Sequence, residues 1–377
     1  MRICHVITKP ELGGAQLSTL NILSGLPKDK YDISIITSPK GILGPEFKDL
    51  SMVRSFFSPF LVRSVNPLYD ILALIHIYRI YRRNKYHLIH THSSKAGILG
   101  RLSGWLAGVP TIIHTVHGWS FNDCEPRVLK RFSILLERIT ARFTTKIICV
   151  SRKDLEIGLK YKIAPKEKFT LIKYGIALSE FRKSQKDVLQ KRKELGIANN
   201  DPVIGMISCL KPQKSPLDYI KACVRIYEKM PNINFLLIGD GILREKCERL
   251  LASAPLNGRF IFTGWRRDTS EIMDILDVVV LTSKWEGMPI SLIEALSKGC
   301  PVVATDVGGV SELVKDGITG YIVKPGSHED VAMKALKILK DRGSFNKMKE
   351  EAMSSIDDSF ELDRMVEEIK DLYQRFI

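Results

Sequence analysis

Two glutamates, Glu286 and Glu294, stand on either side of a predicted helix start in KWEGMPISLIEALSK (284–298). Glu294 falls within the helix, whereas Glu286 precedes it beside a Gly-Met-Pro turn. The unpaired amides of residues 290–292 would favour a negatively charged group, and Gly287 would let that group approach the backbone. A sugar–diphosphate–nucleoside fits this spacing, with the sugar at Glu286 and the ribose at Glu294. The alternative is that both glutamates only complement the helix dipole.

The elements that must position these residues are short runs rich in Ile and Val, which alternate with longer helical patterns. Such alternation predicts parallel sheets covered on both faces, with ligands beyond the carboxyl ends of the strands. The predicted strands are 2–7, 32–37, 88–92, 111–116, 146–150 and 169–173, then 203–208, 234–239, 259–264, 278–282, 301–305 and 320–323. The predicted helices include 14–25, 68–83 and one from about Pro289.

The strands form two series, separated by a charged stretch at 178–202 that is suited to a linker with one short helix. A chain of 377 residues is also long for one domain. We therefore predict an α/β protein with two doubly wound, Rossmann-like domains that face a central cleft. The first spans 1–182 and the second 183–357, and a C-terminal helix at about 358–377 packs back on the first.

The composition is that of a soluble globular protein, with 45% hydrophobic and 26% charged residues. No apolar run is long enough to cross a bilayer, and the start, MRICHVITKP, is not typical of a secretory signal. The seven cysteines include no C-x-x-C pair, which disfavours a disulfide framework or a zinc knuckle. We expect a cytoplasmic protein.

The net charge of +15 lies entirely in the first half of the chain. Residues 1–182 contain 28 Lys and Arg against 13 Asp and Glu, whereas residues 183–377 contain 29 of each. The segment 52–85 adds aromatic and aliphatic residues to basic ones, with a predicted helix that ends in a cationic cluster. That cluster is Arg79, Arg82, Arg83 and Lys85. We expect this half to bind the inner face of the cell membrane; the alternatives are added solubility and a core helix with a solvated basic end.

Eight motifs together resemble the retaining glycosyltransferases of family 4, which have the GT-B fold, and the resemblance covers essentially the whole chain. In the second half they are SCLKPQKSPLDYI (208–220), LIGDGILREKCERL (237–250), FTGWRRD (262–268), the two-glutamate motif and GCPVVATDVGGVSELVKDGITGYIV (299–323). In the first half they are ELGGAQLSTLNI (11–22), HTVHGW (114–119) and CVSRKDLEIGL (149–159). The resemblance implies an acceptor-side first domain and a second domain that binds a nucleotide sugar.

The resemblance also implies roles for single residues. Glu286 matches the glutamate that contacts the donor sugar, Glu294 the one that binds the ribose, and Lys214 the cation that holds the diphosphate. The other donor-binding candidates are Gly287, Met288, Pro289, Lys211, Gly239 and Gly14, and Gly13 is expected on the acceptor side. Many members have an arginine where this chain has Cys209, and the sequence leaves open whether Lys211 replaces it.

Among the histidines, His117 matches the family histidine near the donor sugar, and its neutral ring could bind a sugar hydroxyl. His114 lies inside the strand and is predicted to be structural. His90 and His92 share one strand face, but no nearby carboxylate or thiol completes a metal site. There is no Asp-x-Asp motif either, so we expect neither a metal nor any cofactor besides the nucleotide sugar, which would be UDP- or GDP-linked.

Together these features predict a retaining hexosyltransferase with His117, Glu286 and Lys214 as its catalytic residues. It would move a sugar from a nucleotide diphosphate to a hydroxyl of a lipid-linked saccharide in cell-surface polysaccharide synthesis. One alternative is a nucleotide-sugar epimerase or hydrolase of the same fold. A nucleic-acid-binding protein ranks last, because no recognition motif accompanies the basic half and aromatic residues are only 8%.

Overall fold

The computed structural model describes residues 1–122, 125–183, 188–256 and 258–376. The chain forms two compact units, Met1–Gly175 with Leu362–Ile377, and Ile176–Glu361. Each unit is built on its own parallel sheet. The α/β class and the two doubly wound domains are therefore confirmed.

The first unit contains a seven-stranded sheet with the order β3-β2-β1-β4-β5-β6-β7. Its strands are β1 (Arg2–Val6), β2 (Asp32–Thr37), β3 (Val53–Phe57), β4 (Leu88–His92), β5 (Thr111–Val116), β6 (Lys146–Cys149) and β7 (Phe169–Leu171). Its helices are α1 (Gly14–Gly25), α2 (Gly44–Asp49), α3 (Pro67–Asn84), α4 (Ser94–Leu106), α5 (Arg127–Ala141), α6 (Arg152–Lys160) and, from the end of the chain, α16 (Leu362–Gln374).

The second unit contains a six-stranded sheet with the order β10-β9-β8-β11-β12-β13. Its strands are β8 (Val203–Ile207), β9 (Asn234–Ile238), β10 (Phe260–Gly264), β11 (Val278–Leu281), β12 (Val302–Thr305) and β13 (Gly320–Val323). Its helices are α7 (Leu178–Arg182), α8 (Val188–Glu194), α9 (Pro216–Tyr227), α10 (Arg244–Ala252), α11 (Thr269–Met273), α12 (Ile290–Ser297), α13 (Val310–Leu313), α14 (His328–Lys340) and α15 (Arg342–Ser355). Three single 3₁₀ turns, Lys166–Lys168, Pro212–Lys214 and Asp358–Phe360, complete the elements.

In both sheets the strand order reverses beside the first strand, between β1 and β4 and between β8 and β11. The central strands are buried on both faces, as their near-continuous apolar runs require. At such a reversal the loops that leave the two neighbouring strands diverge, and the gap outside their carboxyl ends is where doubly wound proteins bind ligands. Each unit therefore has one topologically favoured ligand position.

The unit boundary differs from the prediction of 182/183, because the chain leaves the first unit after Gly175. The amide of Ile176 donates to the Phe360 carbonyl at 2.9 Å, and Ile176 bridges to Glu361, so both residues join the second unit. The C-terminal helix begins at Leu362 rather than at about residue 358, because residues 358–360 form a 3₁₀ turn. Residues 184–187 of the predicted linker, and residue 377, lie outside the described residues.

The segment 52–85 contains a strand as well as the predicted helix, and the strand was not predicted. Its first residues form β3, an edge strand that pairs with β2. The sequence VRSFF does not show a clear alternation of apolar and polar residues. The strand β3 has one buried residue, Val53. The rest of the segment includes α3, which buries Ala73, Ile77, Ile80 and Tyr81 and ends in exposed basic residues. None of the helices among the described residues combines the length and apolarity needed to span a bilayer.

Candidate functional site

The loops that follow β8 and β11 lie side by side at the strand reversal of the second sheet, and hydrogen bonds join them. The amide of Lys284 donates to the Gln213 carbonyl at 2.7 Å, and the Gln213 side-chain amide donates to the Trp285 carbonyl at 2.9 Å. The Thr282 hydroxyl lies 2.9 Å from the carbonyl of Ser215. These bonds fix the two loops as one surface, and sequence reasoning had not singled out Gln213 or Thr282.

Lys214 and Glu286, one from each loop, form an ion pair on this surface. The Lys214 Nζ lies 2.5 Å from the Glu286 Oε1, which also accepts a 2.5 Å bond from the Ser283 hydroxyl. The carboxylate is 6% exposed and the ammonium 20%. An ammonium has three donors, so the pair leaves donor capacity for an anion. The structure thus brings together two residues to which the sequence had given separate roles.

Glycine 308 shapes the backbone that carries Glu286. It has a φ of +54°, and a Cβ there would lie 2.1 Å from the Glu286 carbonyl oxygen. The next amide, of Gly309, donates to the Gly287 carbonyl at 2.6 Å. Gly308 and Gly309 of the DVGG motif therefore pack against the backbone of the Glu286–Gly287 turn and fix its position. The motif was recognised in the sequence, but this role was not.

The helix after this turn is α12, and it begins at Ile290 with Pro289 as its N-cap, one residue later than predicted. Gly287, Met288 and Pro289 are buried between the ion pair and the helix. The expectation of free amides at 290–292 is wrong for Leu292, whose N–H donates to the Pro289 carbonyl at 3.1 Å. The amides of the first two helical residues have no intrahelical acceptor, so the helix start retains its anion-binding character.

Glu294 lies one turn into α12 and is only partly accessible. Burial raises the pKa of its carboxyl to about 8, and no described residue donates a hydrogen bond to it. A carboxylate that loses water on ligand binding needs hydrogen-bond donors, and two hydroxyls of a ribose could supply them.

The remaining donor-side candidates shape the loop that precedes Lys214. Lys211 caps the 3₁₀ turn of Lys214, whose amide donates to the Lys211 carbonyl at 3.0 Å. Cys209, where many family members have arginine, is buried. Gly239 has a φ of +129°, and a Cβ there would lie 2.0 Å from the Ser208 carbonyl oxygen. Gly239 thus permits close backbone packing beneath this loop.

In the first unit, Gly13 and Gly14 lie after β1, at the strand reversal of that sheet. Gly13 is the N-cap of α1 with extended backbone angles, and Gly14 is the first helical residue. The loop before them is held by the Gln16 side-chain amide, which donates to the Lys9 carbonyl at 3.0 Å. Both glycines are partly accessible at the position where a ligand of this sheet would lie.

His117 follows β5 and belongs to a run of hydrogen-bonded rings that we call the imidazole chain. Its members are, in order, Tyr174, His117, His92, His5, Tyr373, His90 and Thr115. The His117 Nδ1 bonds to the Tyr174 hydroxyl, and its Nε2 lies 3.0 Å from the His92 Nδ1. Both nitrogens of His117 therefore have protein partners, and a sugar hydroxyl would have to displace one of them to bond to this ring. Burial lowers the pKa of His117 to about 3, so the ring is neutral.

The imidazole chain includes the one group of described side chains that is close enough to hold a metal. The ligand atoms of His5, His90 and His92 lie within 4.8 Å of one another. All six of their ring nitrogens already have hydrogen-bond partners, however, and these partners are His117, Tyr373, Thr115 and the rings themselves. His114, predicted to be structural, bonds to Thr91 on the opposite sheet face.

Comparison with known proteins identifies both halves of the chain. Residues 12–180 match the family model described as Glycosyltransferase Family 4, and residues 187–355 match the one described as Glycosyl transferases group 1. The chain is 34% identical to UDP-Gal:alpha-D-GlcNAc-diphosphoundecaprenol alpha-1,3-galactosyltransferase from Escherichia coli, over 99% of this chain and 96% of that protein. It is 24% identical to the capsular polysaccharide biosynthesis glycosyltransferase CapM from Staphylococcus aureus, over 93% and 92%.

Among solved structures, Anabaena HepE in complex with UDP and glucose superposes with a TM-score of 0.84 at 22% identity, over 100% of both chains. WaaG, an enzyme of lipopolysaccharide biosynthesis, superposes with a TM-score of 0.79 at 17% identity, over 98% of this chain and 99% of WaaG. At these identities the superpositions show the fold alone. Both place the chain in the same two-domain architecture.

Proposed function

Because the chain belongs to the family 4 glycosyltransferases with the GT-B fold, we propose that it transfers a sugar, with retention of configuration, from a UDP-linked donor to a hydroxyl of a lipid-linked saccharide. The observation that carries this proposal is the ion pair of Lys214 and Glu286, together with the Glu294 carboxyl of the following helix, to which no described residue donates a hydrogen bond. A diphosphate, a sugar and a ribose are the three parts of a ligand that these groups would recognise.

Two features favour UDP among the nucleotides and a lipid diphosphate as the acceptor. The Escherichia coli relative, whose name specifies both, matches along nearly the full length of each chain. The charge excess of residues 1–182 also suits an anionic acceptor at a membrane surface. The cell process we propose is the synthesis of a surface polysaccharide, with the enzyme in the cytoplasm.

The chemistry that the site supports is dissociative. The bond from the anomeric carbon to the phosphate oxygen breaks, and the acceptor oxygen bonds to that carbon on the same face. Lys214 and the first amides of α12 would stabilise the charge that gathers on the departing diphosphate. That diphosphate would accept the acceptor's proton, and Glu286 would orient the sugar.

No metal is part of the proposal. The second-unit site already has a cation in Lys214, and the sequence lacks the Asp-x-Asp motif that positions a divalent ion in other glycosyltransferases. We expect full activity after exhaustive dialysis against EDTA. Loss of activity that manganese restores would contradict this part.

The structure offers a surface for membrane binding that differs from the expected segment, on the outer side of α5. Four apolar residues of this helix, spaced by four, three and four positions, lie within about 60° of arc and are exposed. They are Val128, Phe132, Leu135 and Ile139. Four exposed arginines form a parallel strip: Arg127, Arg131, Arg138 and Arg142.

The opposite side of α5 is firmly packed. It buries Ile134 and Ala141, and Glu137 forms a 2.7 Å ion pair with Arg101 of α4, with both side chains buried. The outward apolar strip is therefore a fixed surface. An apolar strip beside an arginine strip fits a helix that lies in a membrane interface among anionic head groups, so we propose that α5 attaches the enzyme to the inner face of the cell membrane.

Flotation with phosphatidylglycerol vesicles tests this surface. Replacing Phe132 and Leu135 by serine should abolish most of the binding, and so should replacing Arg127 and Arg131 by glutamine. Met333→Ser, which removes an exposed apolar residue of the second unit, should leave binding unchanged. If binding survives both α5 variants but is lost when Arg79, Arg82 and Arg83 are changed together, the membrane-binding surface lies on α3 instead.

The transfer itself is tested with radiolabelled UDP-, GDP- and ADP-sugars and a short-chain lipid diphosphate that carries N-acetylglucosamine. We expect label from one UDP-sugar to enter the organic phase, and the product to have the donor's anomeric configuration by NMR. Free sugar or its epimer, formed without an acceptor, would instead identify a hydrolase or an epimerase. The comparisons do not favour that alternative, because the relatives are named as transferases.

A further inference from the structure

The imidazole chain crosses the core of the first unit from β5 to the C-terminal helix. His5 pairs in register with His90 across β1 and β4, and His92 pairs with Thr115 across β4 and β5. In neighbouring strands such partners project from the same sheet face. Tyr373 of α16 covers that face, with its hydroxyl 2.5 Å from the His90 Nδ1 and 3.2 Å from the His5 Nε2.

Every ring in the chain is connected with the same polarity. His117 contacts His92 through Nε2 to Nδ1, and His92 contacts His5 through Nε2 to Nδ1 at 3.1 Å. His5 then reaches Tyr373 through Nε2, and His90 reaches Thr115 through Nε2 at 2.6 Å. Burial holds the pKa of each of these four histidines below its ordinary value. Each ring is therefore neutral, with one donor and one acceptor.

This polarity couples the proton positions of all four rings. If Tyr174 donates to His117, then each ring must donate onward through Nε2 until His90 donates to Thr115. If His117 instead donates to Tyr174, then every donor is Nδ1 and the direction reverses. A break in direction at Tyr373 would leave a buried hydroxyl hydrogen unpaired, which is costly. The tautomer of His117 is thus set jointly with that of His5.

His117 is the accessible member of the chain. The other six members are buried, whereas His117 is partly exposed at the carboxyl end of β5. A buried polar network of this length contributes less to stability than apolar packing of similar volume unless it is complete. In this network every histidine nitrogen has a hydrogen-bond partner. Its one partly exposed ring, His117, lies at the sheet edge where ligands of doubly wound units bind.

We propose that His92, His5 and Tyr373 are positioning residues for the transfer reaction, because they hold the ring of His117 in one orientation and tie its tautomer to the direction of the whole imidazole chain. This inference rests on the proposed function only in its kinetic part. Misplacing a group at a reacting centre can cost about 10²-fold in rate, and the wrong histidine tautomer can cost more.

The test removes one hydroxyl from the middle of the chain. Tyr373→Phe keeps the ring of α16 but leaves His5 and His90 without their shared partner. The matched control is Tyr81→Phe in the same unit, because the buried Tyr81 hydroxyl has no hydrogen-bond partner among the described residues. Ring ¹⁵N shifts of histidine-labelled protein report the tautomer of His117 without any substrate.

We expect one tautomer of His117 in the wild type and in Tyr81→Phe, and a mixture in Tyr373→Phe. In the transfer assay, kcat of Tyr373→Phe should fall by about tenfold or more while the donor KM changes by less than about twofold. A His117 tautomer and a kcat that both stay at wild-type values would overturn the proposal. If the wild type shows no transfer, the ¹⁵N result still decides whether the chain fixes the ring.

A second pair of variants guards against loss of folding. His5→Gln retains a donor and an acceptor between His92 and Tyr373, so it should keep most of the activity and the single tautomer. His5→Leu keeps neither and should behave like Tyr373→Phe. Equal activity of the two His5 variants would count against a hydrogen-bonded role. If the purified protein contains stoichiometric zinc, and its removal changes the ¹⁵N shifts, then these histidines form a metal site and not a hydrogen-bonded chain.

Discussion

The loops after β8 and β11 and the imidazole chain of the first unit hold their polar groups in opposite ways. In the loops Lys214 and Glu286 form an ion pair that is partly open to solvent. In the following helix, no described residue donates a hydrogen bond to the Glu294 carboxyl. In the imidazole chain each ring nitrogen is paired, the rings are neutral, and six of seven members are buried. The first arrangement is prepared for a charged ligand, and the second for holding one ring in place.

The contrast suggests a rule for this protein: charged groups stand where the proposed function puts the diphosphate, whereas neutral, fully hydrogen-bonded groups hold a side chain in one position. A site that changes its contacts when a ligand binds needs groups that can exchange partners. In the proposed function, the Lys214 ammonium exchanges Glu286 for a phosphate. A positioning site satisfies all of its groups internally. Each of the following variants breaks or sharpens one side of this comparison.

The largest effect is expected from Glu286→Gln, which removes the charge that pairs with Lys214 and that orients the sugar in the proposed function. Transfer should fall by about 10² to 10³ in kcat, the cost of losing one electrostatic group at a developing charge. Steady-state kinetics at saturating donor measures it. Glu248→Gln, at an exposed ion pair on α10, serves as the control; equal rates in the two variants would remove Glu286 from the site.

Lys214→Met should weaken UDP by about 30- to 100-fold, because a charge-assisted bond to phosphate contributes about 2–3 kcal/mol. Uridine, which lacks the diphosphate, should bind the variant and the wild type alike. Isothermal titration calorimetry with both ligands separates the two effects. Lys221→Met, at a half-exposed lysine of α9, should alter neither affinity; an equal loss for uridine and UDP would assign Lys214 to loop structure instead.

Gly308→Ala should lower the free energy of unfolding by about 2–3 kcal/mol, because the new Cβ meets the Glu286 carbonyl at a positive φ. Gly326→Ala is the matched control: its φ is +83° but no atom lies within 4 Å of its Cβ, so it should cost about 1 kcal/mol. Chemical denaturation measures both. Equal losses would show that the contact behind the Glu286–Gly287 turn contributes nothing.

The smallest effect concerns pH and Glu294. A raised pKa of about 8 means that the free protein favours the protonated carboxyl at neutral pH. Binding of ribose hydroxyls favours the ionised form, so UDP affinity should rise about tenfold from pH 7 to pH 9, since one pKa unit corresponds to about 1.4 kcal/mol. Glu294→Gln should bind UDP weakly at both pH values. A wild-type affinity that stays flat across this range would contradict the assignment.

The same shift predicts the sign of a stability change without ligand. Because the folded pKa lies above the ordinary carboxyl value, the protonated form is favoured in the folded state, and stability falls as the pH rises from about 4.5 towards 8. Glu294→Gln should therefore melt at a higher temperature than the wild type at pH 8.5, and by a smaller margin at pH 5.

Much of the fold was predictable because its signals are local. Apolar runs such as those of β8, β9 and β11 are nearly continuous, since parallel strands are buried on both faces. The edge strand β3 was missed because half of its surface is open, which weakens the apolar run. The crossover at Gly175 was also missed, because the bond from Ile176 to Phe360 joins positions far apart in sequence.

The residues of the candidate site were also predictable only where their signal is local in the sequence. Glu286, Glu294 and Lys214 stand in motifs whose spacing identifies them, although the pairing of Lys214 with Glu286 spans 72 positions. The chain through His5, His92 and Tyr373 joins strands and a helix up to 368 positions apart. No periodicity carries that information. Only the sheet order, which places β1, β4 and β5 together, assembles it.

The most direct test of the central claim is a crystal structure of the wild-type protein soaked with UDP. The account predicts diphosphate oxygens at hydrogen-bond distance from the Lys214 ammonium and the first amides of α12, with both ribose hydroxyls on Glu294. A nucleotide bound elsewhere in the second unit, with the Lys214–Glu286 pair unchanged and Glu294 without a ligand, would contradict it.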